Sequence, residues 1–295
     1  MSASMALAAG RVRALSLWRT SVDPVPLGGG ITNVNFTVQH AGETFVVRVG
    51  NDIPVHQVLR FNERAASEAA FRAGISPEVV HAETGILVIR FIEGKAFTAE
   101  DVREPRNLMR IVPLIKRIHT EMPREVRGPA LVFWVFHVLR DYAHTLRDGG
   151  SRHTTRLQGL LDTAARLERD VGPIDVVYGH NDLLPGNVLD DGNRLWIIDW
   201  DYAGFNSPLF DLANLASNNG LTPEQEDWML TAYFGRPADA DLRHRFSAMT
   251  CASLLRETMW SMVSEIHSKL EFDYPAYTAD YLGRFERALA AHQGR

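Results

Sequence analysis

Oxygen-bearing side chains are concentrated in one apolar-flanked stretch, VYGHNDLLPGNVLDDGNRLWIIDWDYAG. Asp182 stands five residues before Asn187, across a short LLPG loop. Asp191-Gly192 follows, and Asp-Gly is a favoured two-residue hairpin turn, so the stretch predicts a β-hairpin centred on this pair. Such a hairpin brings Asn187 and Asp199 to its open end. Three oxygen-bearing side chains are therefore expected to converge on one small volume.

These groups suit a hard cation and a proton transfer. Mg²⁺ prefers oxygen ligands, keeps several waters and takes further oxygens from a phosphate. Asn187 and Asp199 are the predicted ligands that would hold Mg²⁺ against the phosphates of a nucleotide. Asp182, one loop away, is placed to accept a proton from an attacking hydroxyl. Any one of these residues alone is more often a cap or a turn former, so the prediction rests on the joint pattern HxDxxxxN, hairpin and I-I-D.

This joint pattern has the spacing of the protein-kinase catalytic loop. From about residue 24 to 285, the chain resembles the choline/ethanolamine kinase branch of the aminoglycoside-phosphotransferase-like superfamily, which has the protein-kinase-like fold. The resemblance implies that Asp182 is the catalytic base and that Asn187 and Asp199 bind Mg²⁺. It also implies that His180 and Asp211 brace the loop.

One acidic residue departs from the protein-kinase pattern. Asp201, in DWDYAG, replaces part of the Asp-Phe-Gly of protein kinases and is similar to the acidic position usual in this branch.

A glycine-rich stretch, PLGGGITNVNF, precedes the first predicted strand pair. Glycines let backbone N–H groups approach phosphates closely. The stretch departs from the kinase GxGxxG pattern because Asn33 stands at the third Gly position. It instead resembles the G-G-x-[ST]-N pattern that is characteristic of choline kinase-like proteins. The resemblance assigns Gly29, Gly30, Thr32 and Asn33 to the phosphate loop.

Arg48 places a charge inside an apolar strand, TFVVRVG. Such a charge needs a partner, and one reading is a salt bridge on a solvated sheet face. The resemblance instead implies that Arg48 replaces the phosphate-pairing Lys of kinases, since a guanidinium is a planar, bidentate donor. Its helix partner would be Glu63, with Glu68 as the rival.

The adenine site follows from the fold alone. The ring would lie along IRFIEG, with hydrogen bonds to the backbone near Phe91, Ile92 and Glu93.

A C-terminal stretch, LLRETMWSMVSEIHSKLEFDYPAYTADYL, resembles the choline kinase segment that surrounds a quaternary ammonium with aromatic rings. Trp260, Phe272 and Tyr277 match the aromatic positions, and Glu257 stands where the animal enzymes place a second Trp. These residues, with Asp182 at the hydroxyl, form the predicted acceptor site.

The two following aromatic residues have a different interpretation. Tyr281 and Phe285 continue the spacing of Tyr277 at i+4 and i+8 and are predicted to be helix core.

A helical projection separates Trp260 from the apolar side of its helix. At 100° per residue, Trp260 falls beside Glu257 and Ser264 on a polar side. A Trp next to a carboxylate is suited to a small cation. The alternative is that Trp260 packs on a neighbouring helix or on a partner subunit. The apolar arc contains Leu255, Met259, Met262, Ile266 and Leu270.

The pattern along the chain predicts an α+β, two-lobed protein-kinase-like fold. VNFTVQH and TFVVRVG predict a hairpin with Gly42 in its turn, LRFNERAASEAAFRAG a helix that ends at Gly74, and GILVIRFIEG a buried strand. Beyond residue 100 the pattern is mostly helical, although Pro113 should kink or split one helix. The predicted domains are a small β-rich nucleotide-binding lobe at 1–93 and a larger mainly helical lobe at 94–295.

Composition narrows the functional classes. The 295 residues contain 31 Lys and Arg against 36 Asp and Glu, with no Lys/Arg-rich run, so a nucleic-acid partner is not expected. No apolar run approaches the roughly 18 residues of a membrane span, and the single Cys251 fits a reducing compartment. We expect a cytoplasmic monomer or homodimer.

Three functions stay open at this point. The first is ATP- and Mg²⁺-dependent phosphorylation of choline or ethanolamine, with an amino alcohol as the partner. The second is phosphorylation of another small alcohol, such as thiamine or an aminoglycoside. The third is nucleotide binding by a kinase-fold protein without chemistry.

Overall fold

The computed structural model describes residues 3–28, 33–268, 270 and 272–294. The predicted phosphate-loop residues Gly29, Gly30 and Thr32 lie outside the described residues, whereas Asn33 lies within them.

The N-terminal lobe is built on an antiparallel sheet with the order β1-β2-β3-β5-β4. Its hairpin β2–β3 turns at Gly42, whose φ of +84° is readily adopted by glycine, as the sequence predicted. The strands are β1 Val25–Leu27, β2 Val34–His40, β3 Glu43–Val49, β4 Val79–Glu83 and β5 Ile86–Arg90.

Two helices accompany this sheet. Helix α1, Ala3–Arg13, contributes Ala9 and Val12 to a small core with sheet residues such as Phe36. Helix α2, Arg60–Arg72, is followed by Gly74 at φ +66° and packs its alanines into the larger core of the second lobe. Because α2 contacts both parts, it can carry a side chain to the space between them.

The C-terminal lobe is mainly helical, and the predicted two-lobed α+β fold is confirmed. Its helices are α3 Ala99–Arg103, α4 Pro105–Glu125, α5 Val135–Asp148, α6 Leu157–Val171, α7 Pro208–Asn219, α8 Pro223–Phe234, α9 Ala240–His267 and α10 Tyr274–Gln293. Its strands are β6 Lys95–Ala96, β7 Val177–Gly179, β8 Val188–Asp190, β9 Leu195–Ile197 and β10 Gly204–Asn206. Strands β6, β8 and β9 form one small sheet, and β7 pairs with β10.

Helix α4 continues through Pro113, so of the predicted kink or split the split is wrong. Pro113 is exposed, while Val112 and Leu114 on either side of it are buried. Proline has no N–H, so the carbonyl four residues earlier in the helix lacks its usual donor. On the solvent side of a helix water can donate to that carbonyl instead, and packing of the opposite face holds the helix together. Among the described residues, no helix is long and apolar enough to cross a membrane.

Candidate active site

The loop after β7 carries Asp182 and is fixed by a buried carboxylate on α7. Asp211 accepts the backbone N–H of His180 at 2.8 Å and that of Asn181 at 2.7 Å. Its Oδ2 also lies 2.9 Å from Nε2 of His119. Burial is the largest single influence and would raise the pKa of Asp211, but the hydrogen bond from His119, the charges of His119 and His180 and the hydrogen bond from the His180 N–H together lower it. His180 reaches across to the carbonyl of Ile198 at 3.0 Å, so both predicted brace residues contact the loop.

Asn181 fixes the loop in a conformation that few residues adopt. Its φ is +66°, in the left-handed region where Asn is tolerated. Its buried amide donates to the carbonyls of Tyr202 at 3.0 Å and Gly204 at 3.2 Å. A Cβ at Gly179 would lie 2.9 Å from Asn181 Oδ1 and 3.1 Å from Asp211 Oδ2. Glycine at position 179 is therefore required by the brace itself.

Hydrogen bonds to backbone carbonyls position the two predicted metal ligands, Asn187 and Asp199. Asn187 Nδ2 donates to the carbonyl of Asp182 at 2.9 Å, which turns its amide oxygen away from that carbonyl. The carbonyl of Asn187 in turn accepts the N–H of Ile198 at 3.0 Å, immediately before Asp199. Asp199 has a φ of +70°, which is uncommon for a non-glycine residue and is typical of functional sites.

The turn of the hairpin differs from the prediction by one residue. Strands β8 and β9 pair as far as Asp190 and Leu195, and residues 191–194 connect them. Asp191 Oδ1 accepts the N–H groups of Asn193 and Arg194, both at 2.8 Å. Asp191 therefore closes the turn with its side chain, and the centre lies at Gly192-Asn193 rather than at Asp191-Gly192.

Arg48 lies in the space between the lobes and binds carboxylates from both. Its Nε donates to Glu63 on α2 at 2.7 Å, and its Nη2 donates to Asp199 at 2.7 Å. Glu63 is the predicted partner, and the rival Glu68 instead pairs with Arg64 near the surface. Burial alone would lower the pKa of Arg48, but the charges of Asp199 and Glu63 outweigh it and raise the pKa well above its ordinary value.

Asp201 joins the same cluster of charges. Its Oδ1 accepts from Arg60 at 3.0 Å and lies 3.4 Å from Nη2 of Arg48. Burial, helped by the neighbouring Asp199 charge, raises the pKa of Asp201 to about 7. Asp201 thus links the end of the hairpin to α2, a contact that the sequence did not predict.

The sequence interpretation missed Arg256, which lies next to the predicted base. Its Nη1 lies 3.5 Å from Asp182 Oδ1 and also donates to Glu257. The guanidinium stacks 4.2 Å from the ring centroid of Tyr202 and 5.7 Å from that of Phe133. The Arg256 side chain is only 2% exposed. The available sequence signal was its position immediately before Glu257, a predicted acceptor residue, because an arginine that is buried needs an anionic partner.

The environment of Asp182 favours its neutral form in the absence of other ligands. Burial is the largest influence, the charge of Glu257 adds to it, and Arg256 opposes both, which together raises the pKa of Asp182 to about 8. A cation bound beside this carboxylate would lower its pKa again.

The predicted acceptor residues lie together on α9, α10 and the segment between them. Tyr277 has ring contacts with Trp260 at 6.1 Å and with Phe272 at 5.7 Å between centroids. Its hydroxyl lies 3.4 Å from Glu257 Oε2. Trp260 Nε1 donates to the hydroxyl of Tyr202 at 3.0 Å. This hydrogen bond connects the aromatic residues of α9 and α10, called the acceptor wall below, to the segment that follows β9.

The predicted polar side of α9 is wrong. Every residue from Cys251 to Ser264 is buried, so this part of the helix has no solvent face. Trp260 packs against His56, 5.2 Å between ring centroids. Burial and the charge of Arg256 lower the pKa of His56 to about 3, so this neighbour is neutral.

The structure also tests which apolar residues of α9 and α10 were correctly predicted to be buried. Ile266 and Leu270 of the predicted apolar arc are 37% and 52% exposed, so the arc does not extend that far. Tyr281 and Phe285 are buried, as predicted for helix core.

In the segment that is predicted to bind adenine, the backbone N–H of one residue already takes part in a hydrogen bond of the sheet. The N–H of Phe91 donates to the carbonyl of Thr44 at 3.0 Å, so Phe91 cannot donate it to adenine without leaving the sheet. Ile92 and Glu93 follow in the link between the lobes. Asn33 lines the same cleft as Arg48 and Glu63.

With this geometry in place, comparison with known proteins decides the family. A sequence model of the choline/ethanolamine kinase family matches residues 25–228, more than half of the chain. The chain belongs to the choline/ethanolamine kinase family. It is an ATP-dependent phosphotransferase that acts on an alcohol group of a small molecule.

Individual relatives cover most of the chain. Protein LicA of Haemophilus influenzae is 29% identical over 262 residues, which span 83% of this chain and 75% of LicA. A choline/ethanolamine kinase family protein from Mesorhizobium loti superimposes with a TM-score of 0.77 at 27% identity, covering 97% of this chain and 94% of the other. Choline kinase LicA from Streptococcus pneumoniae covers 100% of both chains with a TM-score of 0.79 at 21% identity, a likeness of fold.

Proposed function

We propose that this kinase transfers the γ-phosphate of Mg²⁺-bound ATP to the hydroxyl of choline. The observation that carries this proposal is the acceptor wall of α9 and α10, where aromatic rings and a carboxylate lie beside Asp182. Aromatic faces attract quaternary ammonium groups without needing hydrogen-bond acceptors. LicA from Streptococcus pneumoniae is described as a choline kinase.

The charge of the wall favours a monocation. Once a bound cation lowers the pKa of Asp182 and this carboxyl group is ionised, Asp182 and Glu257 together carry two negative charges, and Arg256 between them carries one positive charge. The net charge of −1 is balanced by one ammonium group. An aminoglycoside, with several positive charges, would need further carboxylates in the same space.

The hydrogen bonds of Glu257 favour choline over ethanolamine. Its Oε1 accepts from Arg256, and its Oε2 accepts from Tyr277 at 3.4 Å. The primary ammonium of ethanolamine has three N–H donors to satisfy, whereas the trimethylammonium of choline has none. A carboxylate already engaged on both oxygens, surrounded by rings, suits the cation without donors.

Asp182 is the proposed base. It would accept the proton of the choline hydroxyl as the new oxygen–phosphorus bond forms and the bond between the γ-phosphorus and the bridging oxygen breaks, with ADP as the leaving group. Arg256 would hold the carboxylate in place. Leu183, whose N–H donates to Asn214, anchors the backbone after the base. Because the hydroxyl and the ammonium of choline are two carbons apart, the base and the aromatic wall must adjoin, as Arg256 and Glu257 make them do.

The donor set at the hairpin end suits Mg²⁺. Asn187 offers an amide oxygen, and Asp199 offers a second carboxylate oxygen besides the one bound to Arg48. Both are hard ligands, and a bound Mg²⁺ would neutralise charge between the β- and γ-phosphates. Arg48, braced by Glu63, would bind phosphate oxygens.

The remaining nucleotide contacts would come from the proposed nucleotide-binding lobe, residues 1–93. Gly29, Gly30, Thr32 and Asn33 would cover the phosphates, and the backbone near Ile92 would bind adenine.

The test is a panel of acceptors at saturating Mg²⁺ and ATP, scored by ADP release: choline, ethanolamine, thiamine and an aminoglycoside. We expect kcat/KM for choline to exceed that for ethanolamine at least tenfold. Asp182→Asn protein from the same preparation controls for contaminating kinases. Equal or better use of ethanolamine would overturn the assignment of choline, and activity on the aminoglycoside alone would overturn the charge argument.

A further inference from the structure

A second group of potential metal ligands lies at the other end of the helical lobe. Asp170 near the end of α6, His244 in the first turns of α9 and His292 near the end of α10 each offer one ligand atom, and these atoms lie within 4.8 Å of one another. His244 precedes Arg256 by twelve residues, about 18 Å along α9 at 1.5 Å per residue. The group is therefore separate from the active site. We propose that these three residues form a binding site for Zn²⁺ or a similar transition-metal ion.

The buried histidine is held in an orientation that suits a metal. His292 is 5% exposed. Its Nδ1 lies 3.2 Å from Ser247 Oγ, and its Nε2 lies 3.2 Å from Asp170 Oδ2. In the metal-free protein Nε2–H donates to Asp170. When an ion replaces this proton, Nδ1–H can donate to Ser247 and the lone pair of Nε2 then points toward the ion. An outer hydrogen bond of this kind is what fixes the tautomer of most metal-binding histidines.

The distances are close to those of a tetrahedral site. With metal–ligand bonds of about 2.0–2.1 Å, neighbouring ligand atoms stand roughly 3.3 Å apart. The separation of His292 Nε2 and Asp170 Oδ2, 3.2 Å, already meets this value. The wider separations require movement of His244, which is exposed and stacks on His292 with 4.7 Å between ring centroids. Rotation of an exposed side chain can supply it.

The ligand types select the ion. Two imidazoles and one carboxylate, with a fourth position open to water, are typical of Zn²⁺, and imidazole also suits Ni²⁺ and Cu²⁺. Mg²⁺ prefers oxygen ligands, so the metal that serves the nucleotide would not compete well here. A bound ion would tie the end of α10 to α6 and α9, and α10 carries Tyr277 of the acceptor wall.

The experiment uses the tag-free chain of 295 residues, treated with a chelator and then dialysed. Zn²⁺ is titrated calorimetrically in the absence of nucleotide, and thermal unfolding is followed in parallel. We expect one equivalent to bind, with a rise in Tm of about 4–5 °C at a hundredfold excess of free Zn²⁺ over Kd. His244→Gln changes an exposed residue and should remove this binding without unfolding the protein.

Two controls locate the ion. His144→Gln changes an exposed histidine on α5 and should leave the stoichiometry and affinity unchanged. Asp199→Ala removes a ligand of the nucleotide site and should also leave them unchanged. Zn²⁺ binding that persists in His244→Gln, or that disappears in Asp199→Ala, would overturn the proposal, as would the absence of binding to the unmodified chain.

Discussion

Arg256→Met tests whether the buried arginine holds the proposed acceptor wall and the proposed base, Asp182, together. Methionine keeps much of the length and volume of the side chain but removes its charge. Glu257, whose side chain is 5% exposed, then loses its guanidinium partner, and so does Asp182 at 14% exposure. Removing one partner of a buried ion pair typically costs about 3–5 kcal/mol, because the remaining charge is left uncompensated.

The magnitude is read against a surface pair of the same chain. Arg64 and Glu68 form an i,i+4 pair whose side chains are 56% and 33% exposed. Pairs of this kind contribute about 0.3–0.5 kcal/mol, so Arg64→Met should change stability by less than 1 kcal/mol. The assay is urea unfolding followed by tryptophan fluorescence, with the free energy of unfolding extrapolated to water.

A double variant separates charge from packing. In Arg256→Met/Glu257→Gln no carboxylate remains directly beside the methionine except Asp182, so part of the lost stability should return. Arg256→Lys should be less stable than wild type, because an ammonium group cannot stack on aromatic rings or donate two parallel hydrogen bonds as a guanidinium does. A cost for Arg256→Met no larger than that for Arg64→Met would refute the reasoning, and a double variant no more stable than Arg256→Met would assign the loss to packing.

The other predictions concern the proposed base, the loop that carries it and the proposed acceptor wall. Asp182→Asn should lower kcat by about 10²–10⁴-fold; residual transfer at the normal rate would exclude Asp182 as base. Because the folded-state pKa of Asp182 is raised to about 8 from its ordinary 3.8, the folded state binds the extra proton, and this group's contribution to stability falls as pH rises from about 4 to 8. Unfolding measured at pH 5 and 8 should show a smaller decrease for Asp182→Asn than for wild type, and an equal decrease would contradict the raised pKa. Gly179→Ala should lower kcat at least tenfold because its Cβ would strike Asn181, whereas Gly159→Ala, in open space on α6, should not; unchanged turnover in Gly179→Ala would show that the brace tolerates the shift. Trp260→Phe should raise the KM for choline several-fold and leave that for ATP unchanged, and equal changes in both would return Trp260 to a purely structural role.

The sequence determined the parts of the site that local spacing encodes. The pattern HxDxxxxN followed by a hairpin placed Asp182, Asn187 and Asp199 on one loop-and-ribbon unit, because hydrogen bonds between near neighbours fix such units. The charge in an apolar strand likewise required a partner for Arg48, and the family resemblance supplied Glu63. The strand pair around Gly42 and the end of α2 at Gly74 follow from turn chemistry in the same way.

Only the tertiary structure decided what surrounds the helix α9. A helical projection assumes one buried and one solvated face, but α9 is buried on all sides between Cys251 and Ser264, so its polar residues are enclosed rather than exposed. For that reason Arg256 was overlooked, although it contacts Asp182 from 74 positions away in the chain. The group of Asp170, His244 and His292 has the same origin, since residues from three helices meet only through packing. Spacing along the chain records neighbours within one element, whereas contacts between elements depend on how those elements pack.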